Sequence, residues 1–189
     1  MSAAPLLSYH DVVAGWTAPI VGPVSFDLFE GDLVVLVGPN GCGKSTLIGA
    51  FTGAAKTFSG LVAKREGATV AVQRQHPVRE AEIPLNGHEL LGLTGAHHRP
   101  PPPILSPLLG NRIDRLSGGQ FQILSVWACL ASDATIVILD EPTNNMATRT
   151  VEMLVPLLEA SRAGRGILVV THDERFLARA DGRRVVVAS

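Results

Sequence analysis

Leu33-Val34-Val35-Leu36-Val37-Gly38-Pro39-Asn40-Gly41-Cys42-Gly43-Lys44-Ser45-Thr46 decides the reading of this chain. Five apolar residues in a row suit a strand buried on both faces, and the residues after them fit the phosphate-binding pattern G-x-x-x-x-G-K-[ST]. Gly38, Gly41 and Gly43 allow turns in which successive N–H groups point at phosphate oxygens beside a helix N-terminus. Pro39, Asn40, Cys42 and Thr46 complete the cradle. Lys44 supplies a mobile positive charge for the outer phosphates, and the Ser45 hydroxyl is placed to ligate magnesium.

Working outward, Leu6 to Val13 and Val24 to Leu28 read as short strands separated by Gly15, Pro19, Gly22 and Pro23. A helix is expected from Ser45 to Phe51, and Ser59-Gly60 is read as a turn. Thr69 to Val72 is a further strand leading into Gln73-Arg74-Gln75-His76-Pro77. Between Gln75 and Leu116 a helix from Asn86 to Leu93 precedes Pro100 to Pro103, a run that cannot be helical. Later elements alternate: a helix Gly118 to Ala131, a strand Thr135 to Leu139, a helix Thr148 to Ala160, a strand Ile167 to Thr171, a helix Glu174 to Ala180 and a strand Val185 to Val187.

This order predicts an α/β fold with a mixed β-sheet flanked by helices, a small N-terminal β-subdomain and a small, partly irregular helical lobe. One domain over residues 1–189 is expected, with 1–74 and 117–189 as catalytic core and 75–116 as the inserted lobe. Ligands of such sheets sit beyond the carboxyl ends of the strands, where the loops at Gly38, Gln75, Asp140 and His172 converge. There Asp140 is positioned to hold the metal and Glu141 to orient and deprotonate an attacking water.

Length and charge bound the alternatives. The 189 residues carry a formal net charge of −1, which argues against a general nucleic-acid binder. No apolar run approaches the length that crosses a bilayer, and no Lys or Arg precedes Lys44, so a cytoplasmic location is expected. Two cysteines, Cys42 and Cys129, do not make a disulfide framework. Cys42, in a loop at a helix start, is expected to be a reactive thiol that a ligand bound in the loop protects. His76, His88, His97 and His98 lack a metal-ligand spacing.

Leu116-Ser117-Gly118-Gly119-Gln120 opens a helix ahead of Asp140-Glu141-Pro142-Thr143. Together with the phosphate loop, these stretches resemble the nucleotide-binding subunit of the ATP-binding cassette (ABC) family over nearly the whole chain. The compact form is similar to metal-ion and metal-chelate importers slightly more than to other branches. The resemblance implies an ATPase using ATP and Mg2+, working with a separate membrane-spanning subunit on the inner face of the membrane.

The resemblance also implies that Ser117, Gly118, Gly119 and Gln120 close over the γ-phosphate held by a second copy, in a head-to-tail dimer. Trp16 resembles the residue that stacks on adenine, with Tyr9 as the other candidate. Gln75 resembles the glutamine reaching magnesium and the attacking water, with Gln73 competing. His172 resembles the switch histidine on the γ-phosphate. Two departures matter: the family's loop after the carboxylate pair ends in an acid where this chain has Ala147, which implies weaker coupling between the two sites, and the lobe between Gln75 and Leu116 is trimmed, with prolines where the family has more helix. Two other readings are a soluble ATP-gated interaction module of the translation-factor kind and a cassette that scarcely hydrolyses.

Overall fold

The computed structural model describes residues 4–75 and 84–188. Its centre is a parallel five-stranded sheet in the order β5-β6-β7-β3-β8. The strands are β3 (Leu33–Val37), β5 (Val70–Gln73), β6 (Ile136–Asp140), β7 (Gly166–Val170) and β8 (Arg183–Val186). Beside it lies an antiparallel sheet, β2-β1-β4, built from β1 (Leu7–Gly15), β2 (Pro19–Leu28) and β4 (Lys56–Lys64).

The central strands show why their sequences are apolar throughout. Leu33, Val35, Val137, Leu139, Ile167 and Val169 point into one core, and Val34, Leu36, Ile136, Ile138, Leu168 and Val170 into the other. Each strand therefore buries both faces, as a parallel sheet covered on both sides requires, and each buried side chain contributes roughly 1.5–3 kcal/mol relative to exposure. Helices α4 (Gly118–Ala131) and α5 (Thr148–Ala160) cover the first face; α1 (Lys44–Thr52) and the antiparallel sheet cover the second.

Between β5 and α4 the described lobe holds α2 (Gly87–Leu93), the short α3 (Ser106–Leu109) and two 3-10 turns. Asn86 caps α2: its side chain accepts from the Glu89 amide at 3.0 Å and Glu89 returns the bond at 2.7 Å. The prolines 100–103 lie outside any helix. A last short helix, α6 (Glu174–Leu177), ends three residues before the Ala180 expected from the sequence.

Two expectations about local structure are corrected. Ser59-Gly60 does not end a strand; both residues lie within β4. Gly60, at φ 80, sits where the register against β1 shifts, and a Cβ there would lie 2.3 Å from the Asp11 carbonyl oxygen. Glycine here marks a bulge, not a chain reversal. Similarly, Pro19 and Gly22 do not separate strands but belong to β2, which begins five residues earlier than expected.

Candidate functional site

Four strand ends come together as the chain order requires. β3 runs into the phosphate loop, β6 delivers Asp140 and Glu141, β7 delivers Thr171 and His172, and β5 leads to Gln75. A cleft of about 330 Å3 lies there, lined by Ile20, Asn40, Lys44, Ser45, Gln75 and Glu141 among others.

The loop is built for an anion. The N-cap of α1 is Gly43, which has φ 95 and supplies no side-chain cap, so the first-turn N–H groups are open to a ligand. The buried Lys44 ammonium donates to the carbonyls of Gly38 and Pro39 at 2.8 and 2.9 Å, which holds it across the mouth of the loop. Cys42 departs from expectation: its side chain is buried in the core cluster that holds Leu47 and Ile48, so the thiol is shielded from reagents.

Ser45 Oγ donates to Asp140 Oδ1 at 3.1 Å. Adjacent oxygen ligands at about 2.1 Å from one octahedral magnesium stand about 3 Å apart, so these two hard donors fit that ion. Among the described residues no cluster of three or more His, Cys, Asp or Glu could hold a metal, and His76 lies outside those residues.

Glu141 is the most constrained group in the site. It is buried, with its backbone in the left-handed region at φ 49. Its Oε1 lies 2.8 Å from His172 Nδ1, while its buried Oε2 has no hydrogen-bond partner. A carboxylate with one oxygen tied and the other free of donors can accept a proton. Next to His172, Asp173 is held down to a pKa of about 2, chiefly by the Arg175 guanidinium, which grips both its oxygens at 2.9 and 2.7 Å. The same guanidinium reaches the Met146 carbonyl at 3.4 Å and so ties the histidine loop to the loop before α5.

Two runner-up assignments fail. Tyr9 is buried, stacked on Phe26 at 4.5 Å, and donates to the Leu47 carbonyl at 2.9 Å, so it is a core residue. Gln73 is the last residue of β5; its buried amide donates to the Arg74 carbonyl, whereas Gln75 is exposed and lines the cleft. Trp16 is exposed in the β1–β2 turn but does not line the cleft, where Ile20 does. Ile20 escaped sequence reasoning because the start of β2 was hidden behind Pro19, Gly22 and Pro23.

The capped segment Ser117–Gln120 is well formed but lies elsewhere. Ser117 caps α4 through its Oγ, accepting from the Gln120 amide at 3.3 Å, and Gln120 Oε1 accepts from the Ser117 amide at 2.8 Å. None of Ser117, Gly118, Gly119 and Gln120 lines the phosphate-loop cleft; Ser117, Gly119 and Gln120 border a separate hollow with Asn145, Met146 and Ala147.

The family model described as ABC transporter matches residues 21–144, from within β2 to just past the carboxylate pair. The chain belongs to the ABC transporter family. It is an ATP-binding and ATP-hydrolysing ABC subunit that energises transport through a separate membrane-spanning partner. Among curated ABC proteins it is 32% identical to the zinc import ATP-binding protein ZnuC of Paracoccus denitrificans, over 96% of this chain and 75% of that protein. The protein of the same name from Marinobacter nauticus is 30% identical, over 95% and 73%.

Solved ABC structures share the fold. An ATP-binding subunit of an ABC transporter superposes with TM-score 0.81 at 24% identity, covering 97% of this chain and 86% of that one. The cbiO1 protein of Clostridium perfringens, described as part of the ABC transporter complex cbiONQ, gives 0.77 at 19%, covering 98% and 86%. Among the described residues no helix is long and apolar enough to cross a membrane.

Proposed function

We propose that the protein drives uptake of a divalent metal ion of the zinc class, working on the cytoplasmic face of the membrane as two identical copies that enclose two ATP molecules. The cargo is suggested by the ZnuC relatives, whose similarity runs over nearly the whole chain. The paired arrangement rests on one observation. Ser117 to Gln120 form an anion-binding helix start that takes no part in the chain's own phosphate-loop cleft, so each nucleotide needs that segment from a second copy.

In this reading the α1 amides and Lys44 bind the phosphates. Ser45 and Asp140 would hold magnesium with Gln75 beside them; when bound, that ion neutralises charge on the outer phosphates. Glu141 Oε2 accepts a proton from water lined up with the γ-phosphate, and the His172 ring fixes the carboxylate through Oε1. Closure of the two copies excludes water from the site, and the membrane partner sets how often closure happens, so basal turnover is slow. Trp16 covers the adenine from its exposed turn.

The test is reconstitution with the membrane-spanning protein that co-purifies with this chain. Zinc should enter vesicles only with magnesium-ATP on the side bearing this subunit. Transport of an organic solute with no response to zinc would refute the cargo, and ATP hydrolysis by a species that stays monomeric throughout would refute the pairing.

A further inference from the structure

Gln122 lies in α4, five residues after its cap, and is buried. Its Nε2 donates to the backbone carbonyl of Glu141 at 3.3 Å. That carbonyl also accepts from the Asn144 amide at 3.2 Å, and the Glu141 amide donates to the Val170 carbonyl at 2.8 Å. Two of these bonds come from the loop and strand next to Glu141. The third comes from the helix that starts with Ser117.

A left-handed backbone at a glutamate is strained and persists only where its surroundings hold it. The peptide held here sets the direction of the carboxylate, which meets His172 on one oxygen and is unpartnered on the other. The neighbouring contact has the same sense: the Asn145 carbonyl packs so close to Gly119 that a Cβ there would lie 2.5 Å from it. Helix α4 and the Glu141 loop are thus fixed to each other by a buried amide and by a backbone approach.

We propose that Gln122 is a positioning residue for Glu141, and that through it the helix closing on one nucleotide governs the water-activating group of the other. The second half rests on the two-copy reading above. A shift of Ser117 as it meets phosphate moves Gln122 on the same rigid helix, and with it the carbonyl of Glu141. Occupation of one site then registers as the orientation of the carboxylate in the other.

The test compares steady-state ATP hydrolysis and magnesium-ATP binding by the full chain. Gln122→Met keeps the length and loses the donor. Turnover should fall about tenfold, since small misplacement of a reacting group is costly, with KM for ATP and nucleotide affinity unchanged. In the Glu141→Gln background the same change should add nothing, because it acts only through that carboxylate. Cooperativity in ATP should also drop. Gln122→Glu guards against a packing artefact: it regains a donor only when protonated, so its turnover relative to wild type should rise as pH falls, while that of Gln122→Met stays flat. Full turnover in Gln122→Met, or an equal loss in both backgrounds, overturns the positioning role and leaves the function intact. Hydrolysis untouched by Glu141→Gln overturns the assignment of the base as well.

Discussion

Glu141 Oε1 and His172 Nδ1 stand 2.8 Å apart although they come from the ends of different strands, β6 and β7, whose parallel register pairs Asp140 with Val170. The contact divides the carboxylate into one tethered and one unpartnered oxygen. Glu141→Gln should therefore cut hydrolysis by about 100-fold or more while magnesium-ATP still binds. His172→Ala should lower turnover by about tenfold or more and leave nucleotide affinity within a few-fold. Phosphate release and equilibrium binding of a fluorescent ATP analogue measure the two effects separately; loss of binding in Glu141→Gln would contradict the assignment.

Tyr9 and Trp16 should respond in opposite ways. Tyr9→Phe removes a buried hydrogen bond to the Leu47 carbonyl and should cost about 0.5–1.5 kcal/mol of stability, read from urea denaturation. Trp16→Ala should leave stability within about 0.5 kcal/mol, since the ring is exposed, while weakening ATP affinity. Unchanged nucleotide affinity would remove Trp16 from the site.

Ala147 is the N-cap of α5 and offers no side-chain acceptor to its first turn. Ala147→Asp places a carboxylate at that position and should stabilise the protein by about 1 kcal/mol, seen as a higher denaturation midpoint at unchanged slope. If the acid also couples the two sites, cooperativity in ATP should rise in the same variant.

Asp173 links pH to stability. Its folded pKa, about 2, lies below the usual carboxylate value of about 3.9, mainly through Arg175. The contribution is fully present above the unfolded value and is lost as pH falls through the folded one. The melting-temperature gap between wild type and Asp173→Asn should therefore be constant from neutral pH to about 5 and close towards pH 2. A gap that persists at the acid end would show that charge is not its origin.

Gly118 and Gly119 are adjacent in sequence and unequal in space. A Cβ at Gly119 would lie 2.5 Å from the Asn145 carbonyl oxygen, whereas one at Gly118 meets only the Asn145 Cβ at 3.8 Å. Gly119→Ala should destabilise the fold by about 1–3 kcal/mol and Gly118→Ala by less than about 0.5 kcal/mol, measured by chemical denaturation.

What the sequence determined by itself was whatever depends on neighbours along the chain. The apolar runs at Leu33 and Ile136 announce strands buried on both faces, Gly38 to Thr46 announces the phosphate loop, and Ser117 with Gln120 announces a capped helix, because propensity, capping and turn chemistry are local. Tertiary structure decided what depends on partners far away in the chain. Gly60 reads as a turn until the bulge at Asp11 is placed opposite it, and Cys42 reads as an accessible thiol until its side chain is seen in the core cluster with Leu47 and Ile48. Gln75 and Gln73 are two residues apart, so strand alternation gives them the same face; only the end of β5 separates a buried amide from one at the cleft. The grip of Gln122 on Glu141 spans nineteen positions and two elements. No spacing rule encodes it, because a hydrogen bond between elements depends on how they pack and not on the order in which they are strung.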